Sequence, residues 1–205
     1  IRYDGLCRKQ SRLMQGTLEF VIESARAVMA SLAMSYEIET GYSVNEAELK
    51  CMAENIYFEG RAEPMVGKIA IGKVVMNRIK SERHPNDICG VVHEGPHRES
   101  WKTRGKDVPD EDRKYFPLRN KCDFSWYCDG KKDIVWVSYM DGTVIDANAT
   151  AWRDSINVAL FVMSGQLSDP TKGADHYYNY NISNPYWVGS MTETAVIGNH
   201  RFMKE

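Results

Sequence analysis

The sequence predicts an α+β fold that is mainly helical and carries a small β-hairpin. In four segments, apolar residues recur at helical spacings, which is typical of helices that bury at least one face. These segments are 17–38, 43–60, 65–80 and 150–164. Two short stretches rich in aromatic and β-branched residues, 124–127 and 134–139, surround the turn Asp129-Gly130 and predict the hairpin.

The second predicted helix contains the most informative residue of the chain. Ser43 and Glu46 match a capping box, which predicts where the helix begins. Its apolar stripe is Leu49, Met52, Ala53 and Ile56. Glu59 follows Ile56 by three positions, so it continues the stripe that points into the protein. Desolvation there raises the pKa of a carboxyl group and suits it to act as a general acid, whereas a Glu59 paired with Arg61 would be an ordinary surface residue.

A second glutamate follows at once. Pro64 is predicted at the first position of the third helix, and it biases Glu63 away from helical backbone angles. The two glutamates are therefore predicted to lie in a bend between two helices. The third helix, 65–80, is apolar nearly all round, which predicts a position at the centre of the core.

The second half of the chain alternates between charged and aromatic stretches. Residues 95–121 are dense in charge, and we expect a solvated excursion. A helix is predicted over 150–164, with Gly165 at its C-terminal end. The stretch 175–181 mixes aromatic rings with amides, and it is interpreted either as a sugar-binding wall or as a half-buried strand.

Seven stretches of the chain carry a resemblance to a known family. They are 53–64, 67–75, 77–78, 85–92, 122–126, 173–179 and 197–202. Together, and in this order, they resemble the spore cortex-lytic, SleB-like family of cell-wall hydrolases. The resemblance implies a small lysozyme-like, mainly helical domain and leaves the first 45 residues or so unmatched. We therefore expect an N-terminal helical appendage at 1–44 and a catalytic domain at 45–205.

The resemblance also implies an activity. It implies a peptidoglycan-degrading enzyme that cleaves the bond between N-acetylmuramic acid and N-acetylglucosamine, as a lytic transglycosylase with a 1,6-anhydro product. Glu59 occupies the position of the family's catalytic glutamate, and Glu63 matches its second acidic position. The alternatives are a hydrolytic muramidase of bacterial or phage (endolysin) origin that uses Glu63 or Asp123 as a second carboxylate, and a non-catalytic wall-binding protein.

Substrate contacts are expected from the aromatic and polar residues of two of these stretches. Aromatic rings can stack on pyranose faces, while hydroxyls and amides can bind sugar hydroxyls and N-acetyl groups. The residues expected to bind substrate are Ser125, Trp126, His176, Tyr177, Tyr178 and Asn179. For Asn77 and Arg78, a structural role at the helix end is at least as well supported as substrate contact.

Bulk composition argues against several partners and cofactors. A net charge of -2 and a pI of about 6.3 argue against a nucleic-acid binder, and no apolar run approaches the ~18 residues of a membrane span. The polar start shows no secretory signal, although action on the cell wall outside the cytoplasm is expected. We expect a monomer that acts on peptidoglycan glycan strands without metal or cofactor. The H-e-x-x-H match at 93–97 is attributed to chance, because Gly95-Pro96 breaks a helix.

The cysteine count is odd, so at least one of the five is unpaired within the chain. Cys122 and Cys128 could form a disulfide with each other, or either could pair with Cys89. Cys51 lies beside the apolar stripe and is predicted to be a buried free thiol. The remaining residue, Cys7, lies in the unmatched N-terminal segment.

Overall fold

The computed structural model describes residues 24–135, 139–140, 143–144 and 147–205. Its helices are α1, which covers 24–40, α2 (Glu46–Gly60), α3 (Met65–Ile79), α4 (Ile88–Val92) and α5 (Ala147–Met163). The strands are β1 (His97–Glu99), β2 (Tyr115–Pro117), β3 (Tyr139–Met140), β4 (Thr143–Val144), β5 (His176–Asn179), β6 (Thr192–Ile197) and β7 (His200–Lys204). The predicted α+β class with mainly helical content is confirmed.

The main core forms where α2, α3 and α5 pack against one another. Leu49, Met52 and Ile56 of α2 are fully buried, as the stripe predicts, and they contact a cluster that includes Ile71 of α3 and Ile156 of α5. Because α3 is buried on most of its surface, it forms the rigid support beneath the turn that joins it to α2.

Helix α1 packs into the same core. Ala25, Met29 and Tyr36 are buried there. The Tyr36 hydroxyl donates to Ser164 Oγ at 2.6 Å, and Trp152 Nε1 donates to the carbonyl of Ala25 at 3.1 Å. The part of the predicted appendage that the structure describes is thus joined to the helical core, while the division at residue 44 stays a prediction and 17–23 lie outside the described residues.

Helix α2 begins differently from the prediction. Its N-cap is Asn45, whose side chain accepts from the backbone N–H groups of Ala47 and Glu48. The predicted capping box of Ser43 and Glu46 is therefore wrong. Asn is as effective as Ser at this position, and Asn45 stands two positions closer than Ser43 to the first buried residue.

Two disulfides connect segments around α2. Cys51 in α2 is bonded to Cys89 in α4, and Cys122 is bonded to Cys128. The Cys122–Cys128 pair was one of the alternatives left open, whereas the prediction of a free thiol at Cys51 is wrong. The apolar surroundings of Cys51 are real, but α4 crosses α2 at that point and brings the second sulfur into reach.

The small antiparallel sheets agree only partly with the prediction. A half-buried strand, one of the two interpretations of 175–181, is present as β5. Of the second predicted hairpin strand, 134–139, residues 136–138 lie outside the described residues, and β3 begins at Tyr139. Residues Ser125–Cys128 form a 3-10 helix rather than a strand, because the short disulfide loop pulls its two ends together. The charged segment 95–121 is mainly exposed, as expected of a solvated excursion, but it also contains β1 and β2, which pair with each other and were not predicted. A short pair, β3 and β4, follows the 3-10 helix.

The C-terminal sheet has the strand order β5-β7-β6 and is antiparallel throughout. It packs on α3 through a small cluster of Ala70, Val74, Ala174 and Phe202. The tight β6–β7 turn at Gly198 and Asn199 therefore lies beside the α2–α3 turn. No helix in the described part of the chain combines the length and apolar character needed to cross a membrane.

Candidate active site

A cleft of about 740 Å³ opens where the end of α2 meets the C-terminal sheet. Its walls come from the α2–α3 turn, the 3-10 helix after Cys122, strand β5 and the β6–β7 turn. The predicted site residues that line it are Glu59, Glu63, Ser125, Trp126, Tyr177, Tyr178 and Asn179. The structure thus brings together all but one of the residues that the sequence singled out.

Glu59 lies in the last turn of α2 and faces the cleft. Burial raises the pKa of its carboxyl group from 4.5 to about 7, against the opposing effects of the Tyr177 hydroxyl and the positive charge of Arg78. The negative end of the helix dipole also disfavours an ionised carboxylate at this position. Glu59 can therefore hold a proton near neutral pH and still release it, which is the property of a general acid that later acts as a base.

The Tyr177 hydroxyl is a polar neighbour of Glu59 that lowers the pKa of its carboxyl group. Its oxygen is buried and makes no hydrogen bond of good geometry to any described residue. Burial, followed by the negative charge of Glu59, raises the pKa of Tyr177 well above its ordinary value. Tyr177 therefore stays neutral and keeps a proton available for the Glu59 carboxylate when that group is ionised.

Arg78 is the buried cation of the site. Its Nε donates to the carbonyl of Asp175 at 2.7 Å, and its Nη1 pairs with Asp123 Oδ2 at 3.0 Å. The guanidinium also lies 5.1 Å above the ring centroid of Phe124. These contacts hold Arg78 in the cleft wall, where its charge acts on Glu59.

Glu63 has a different environment from Glu59. Its Oε1 accepts from Asn199 Nδ2 at 2.8 Å, and its Oε2 accepts from the backbone N–H of Asn199 at 3.1 Å. His200 Nδ1 lies 3.7 Å from Oε1. Both carboxylate oxygens are thus engaged in holding the β6–β7 turn against the α2–α3 turn, which indicates a positioning role.

The turn that Glu63 holds has room only for glycine at its first position. Gly198 has a φ of +57°, and a Cβ there would approach Glu63 Oε2 to 1.9 Å. The close contact between the carboxylate and the turn therefore depends on the missing side chain.

One wall of the cleft is a fixed aromatic surface. Trp126 stacks on Phe58 with a centroid distance of 4.8 Å, and its Nε1 donates to Asn55 Oδ1 at 2.9 Å. Asn55 is fully buried in α2. Because its orientation is set from both sides, Trp126 can present an edge to a sugar without rearranging.

Strand β5 divides its residues between two faces. Tyr177 packs against Phe202 and His200, whereas His176 and Tyr178 both contact the ring of Trp187. His176 does not line the cleft; its Nδ1 binds Asp175 Oδ1 at 2.9 Å instead. Period-two alternation along the strand explains why neighbours in the sequence have separate surroundings.

Asn55 and Asn199 were not singled out from the sequence as candidates, and Arg78 was considered there as a structural residue at a helix end or a substrate contact. Asn55, Arg78 and Asn199 all lie in stretches that carry the family resemblance, but their contacts are with distant segments. For Asn199, the preceding glycine is a turn signal that could have drawn attention to it. For Arg78, the available signal was a cation near the end of a helix predicted to lie at the centre of the core.

Among the described residues, one group has donor atoms close enough to hold a metal ion. His84, Glu94 and Asp123 place a ligand atom each within 4.8 Å of one another. His84 Nδ1 already binds Glu94 Oε2 at 2.8 Å, and Asp123 pairs with Arg78. The H-e-x-x-H residues do not form a metal site, because α4 ends at Val92 and His97 belongs to β1.

Comparison with known proteins reveals extended similarity to wall-lytic enzymes. The chain is 37% identical over 170 residues to the spore cortex-lytic enzyme of Bacillus subtilis strain 168, a match that covers 83% of this chain and 41% of that protein. It is 28% identical over 173 residues to the spore cortex-lytic enzyme of Halalkalibacterium halodurans, covering 84% and 39% respectively. The chain thus spans less than half the length of the curated relatives it matches.

A solved structure and a family model complete the comparison. The catalytic domain of the Bacillus cereus SleB protein is 25% identical, with 79% of this chain and 93% of that chain covered at a TM-score of 0.46. The family model described as Cell Wall Hydrolase matches residues 62–203, which include Glu63 and begin shortly after Glu59. Since this match covers more than half of the chain, the protein belongs to the cell wall hydrolase family.

Proposed function

We propose that this chain cleaves peptidoglycan glycan strands between N-acetylmuramic acid and N-acetylglucosamine, as a lytic transglycosylase. Glu59 is the general acid and then the general base of the reaction. The observation that carries the proposal is a carboxyl group in a cleft wall whose pKa is raised to about 7 by burial. The cortex-lytic names of the relatives support the same substrate class.

The reaction needs one carboxyl group for two proton transfers. Protonated Glu59 donates to the oxygen that links the two sugars, and the bond from this oxygen to C1 of the muramic acid breaks. An oxocarbenium-like centre develops at C1. Ionised Glu59 then accepts the proton of the C6 hydroxyl as that oxygen bonds to C1, which yields the 1,6-anhydro end and restores the protonated acid.

The surroundings of Glu63 favour this route over hydrolysis. A hydrolytic muramidase needs a second carboxylate to activate water or to stabilise the cation. Both oxygens of Glu63 accept hydrogen bonds from Asn199 and are occupied by a structural contact. Asp123 is the remaining candidate for that role, and it is paired with Arg78.

Substrate binding is assigned to the two walls of the cleft. Trp126 provides a ring edge and Tyr178 an aromatic ring for the sugars, while Ser125 and Asn179 provide polar groups at the cleft surface. Tyr177 serves the Glu59 carboxyl rather than a sugar, because its hydroxyl is buried. We further propose that the protein acts as a monomer outside the cytoplasm, with its catalytic domain at 45–205.

Mass spectrometry of the muropeptides released from purified peptidoglycan tests the proposal. Products with anhydro-muramic ends, one water lighter than reducing ends, are expected from the wild type and should be absent with Glu59→Gln. Reducing ends would mean hydrolysis and would assign Asp123 as the second carboxylate. Equal clearing of a wall suspension by wild type and Glu59→Gln would mean that the protein binds the wall without cleaving it.

A further inference from the structure

A second surface of the molecule combines exposed aromatic rings with cations. It forms a depression of about 440 Å³ around the β1–β2 hairpin. We call it the basic cup and define it by Arg98, Trp101, Lys102, Arg104, Lys114 and Phe116. Trp101 is 73% exposed and Phe116 is 54% exposed. Large apolar side chains of this kind on a surface indicate a binding site when they are grouped.

The turn that carries Trp101 is held in place by its own buried polar residues. Ser100 and Thr103 are buried, and the backbone N–H groups of Thr103 and Arg104 donate to the carbonyl of Ser100 at 3.1 and 2.8 Å. The N–H of Ser100 donates to the carbonyl of Lys114 at 2.7 Å, which joins the turn to the opposite side of the hairpin. The polar residues thus face inward while the indole faces solvent, the reverse of the usual preference.

The positive charge of the basic cup is not neutralised locally. Arg98, Lys102, Arg104 and Lys114 are exposed and form no ion pair with any described residue. The acidic residue of the lining, Glu99, is already paired with Arg113 at 2.8 Å. The chain as a whole has a net charge of -2, so the cup concentrates positive charge against the overall sign.

The hairpin is also connected to the catalytic cleft. Leu118 N donates to the carbonyl of Pro96 at 2.8 Å, and Asp123 N donates to the carbonyl of Glu94 at 3.0 Å. The first bond closes the base of the hairpin, and the second joins the segment that leads into the hairpin to Asp123, which lines the cleft. A polymer bound at the cup is therefore held at a defined position relative to the cleft.

We propose that the basic cup is an auxiliary binding site for peptidoglycan whose stem peptides are intact. Such a polymer presents sugar faces to Trp101 and Phe116, and its peptide carboxylates complement the four cations. This inference rests on the proposed function for its choice of polymer. The cup is distinct from the cleft because the two share no lining residue.

Binding to purified sacculi tests the cup separately from catalysis. The parent protein carries Glu59→Gln, so that bound protein is counted without cleavage of the polymer. Trp101→Ala and the double variant Lys102→Ala/Arg104→Ala are compared with Lys80→Ala/Lys132→Ala, a matched loss of two exposed cations outside the cup. The other probes are a phosphodiester wall polymer and the soluble, peptide-free glycan strands that an amidase releases from sacculi.

We expect Trp101→Ala to weaken binding about tenfold, the effect of removing a central aromatic contact. The double variant should also bind more weakly and lose much of the salt dependence. Peptide-free glycan strands should not displace the parent from intact sacculi. Lys80→Ala/Lys132→Ala should match the parent. Unchanged binding by both cup variants would overturn the proposal, as would tighter binding to the phosphodiester polymer than to sacculi.

Kinetics on short soluble glycan fragments separate this inference from the proposed function. Restoring Glu59 in the Trp101→Ala variant should leave turnover of such fragments unchanged, because they reach only the cleft. If no fragment is cleaved by either protein while the sacculus binding differs, the catalytic proposal fails and the cup stands. If turnover of fragments falls together with binding, the cup is part of the cleft and the auxiliary site is refuted.

Discussion

Replacing Glu59 by glutamine should abolish glycan cleavage and, at the same time, stabilise the fold above neutral pH. Glutamine keeps the shape of the side chain but can neither donate the proton nor become charged. The two effects have one cause, because the desolvation that makes Glu59 a useful acid also makes its ionised form unfavourable in the folded protein.

The size of the stabilisation follows from the pKa of Glu59. The folded protein holds this proton with a pKa of about 7, compared with 4.5 for an ordinary glutamate. At about 1.4 kcal/mol for each unit of pKa, ionisation of Glu59 lowers the free energy of unfolding by about 3 kcal/mol. This value is an upper limit, because the side chain retains some contact with solvent. Because the folded pKa is the higher one, this contribution to stability is complete below pH 4.5 and is lost as the pH rises through about 7.

Urea unfolding of both proteins across this range measures the effect. The free energy of unfolding of Glu59→Gln minus that of the wild type should increase by up to about 3 kcal/mol between about pH 4 and about pH 8. Glu82→Gln, which removes an exposed glutamate outside the cleft, controls for the loss of one negative charge. A difference that does not change with pH would refute the reasoning, even if the variant were inactive.

Three further predictions concern the contacts that shape the cleft. Gly198→Ala should lower the free energy of unfolding by about 1–3 kcal/mol in urea titrations, because a Cβ collides with Glu63 Oε2 at a positive φ; an unchanged midpoint would contradict the contact. Glu63→Gln should lower the free energy of unfolding by about 1–3 kcal/mol, because its amide N–H₂ would face the donor groups of Asn199. The activity that remains should still yield anhydro ends, and a switch to reducing ends would contradict the positioning role of Glu63. Replacing both Cys122 and Cys128 by serine should lower the free energy of unfolding by about 2 kcal/mol, because the loop that the disulfide closes is short. The same change should weaken the binding of sacculi by the inactive Glu59→Gln protein. If the protein without the disulfide bound sacculi as tightly as the protein with it, the cleft wall at Trp126 would not depend on the disulfide.

Helical periodicity predicted the positions of those site residues whose side chains are placed by a single helix. The apolar stripe of α2 places Glu59 on the buried side whatever packs against it, because residues three and four apart share a face. Pro64 similarly biases Glu63 away from helical angles and so predicts a bend between two helices. Both predictions needed no knowledge of the rest of the chain. The structure has the bend, with α2 ending at Gly60 and α3 beginning at Met65, but Pro64 is the N-cap of α3 rather than its first residue.

The stretch 175–181 contains, as β5, the half-buried strand that was one of its two interpretations, whereas the strand predicted at 124–127 is absent for a physical reason. Residues 124–127 have the composition of a strand, and the disulfide between Cys122 and Cys128 forces them into a 3-10 helix. In contrast, β1 and β2 form in a charged segment because their backbones pair across a loop. Strand formation depends on such pairing more than on local composition.

The sequence by itself determined the helical class, the helix that ends with Glu59, and the turn that places Glu63 beside it, because each of these follows from spacing within a single segment. Only the tertiary structure decided the rest: Arg78 in the cleft wall, Asn199 on both oxygens of Glu63, and Cys89 as the partner of Cys51. Glu63 and Asn199 are separated by 136 positions, and no local pattern encodes a contact of that range. Such contacts exist because the core brings α2, α3 and the C-terminal sheet together, and burial then gives Glu59 its raised pKa.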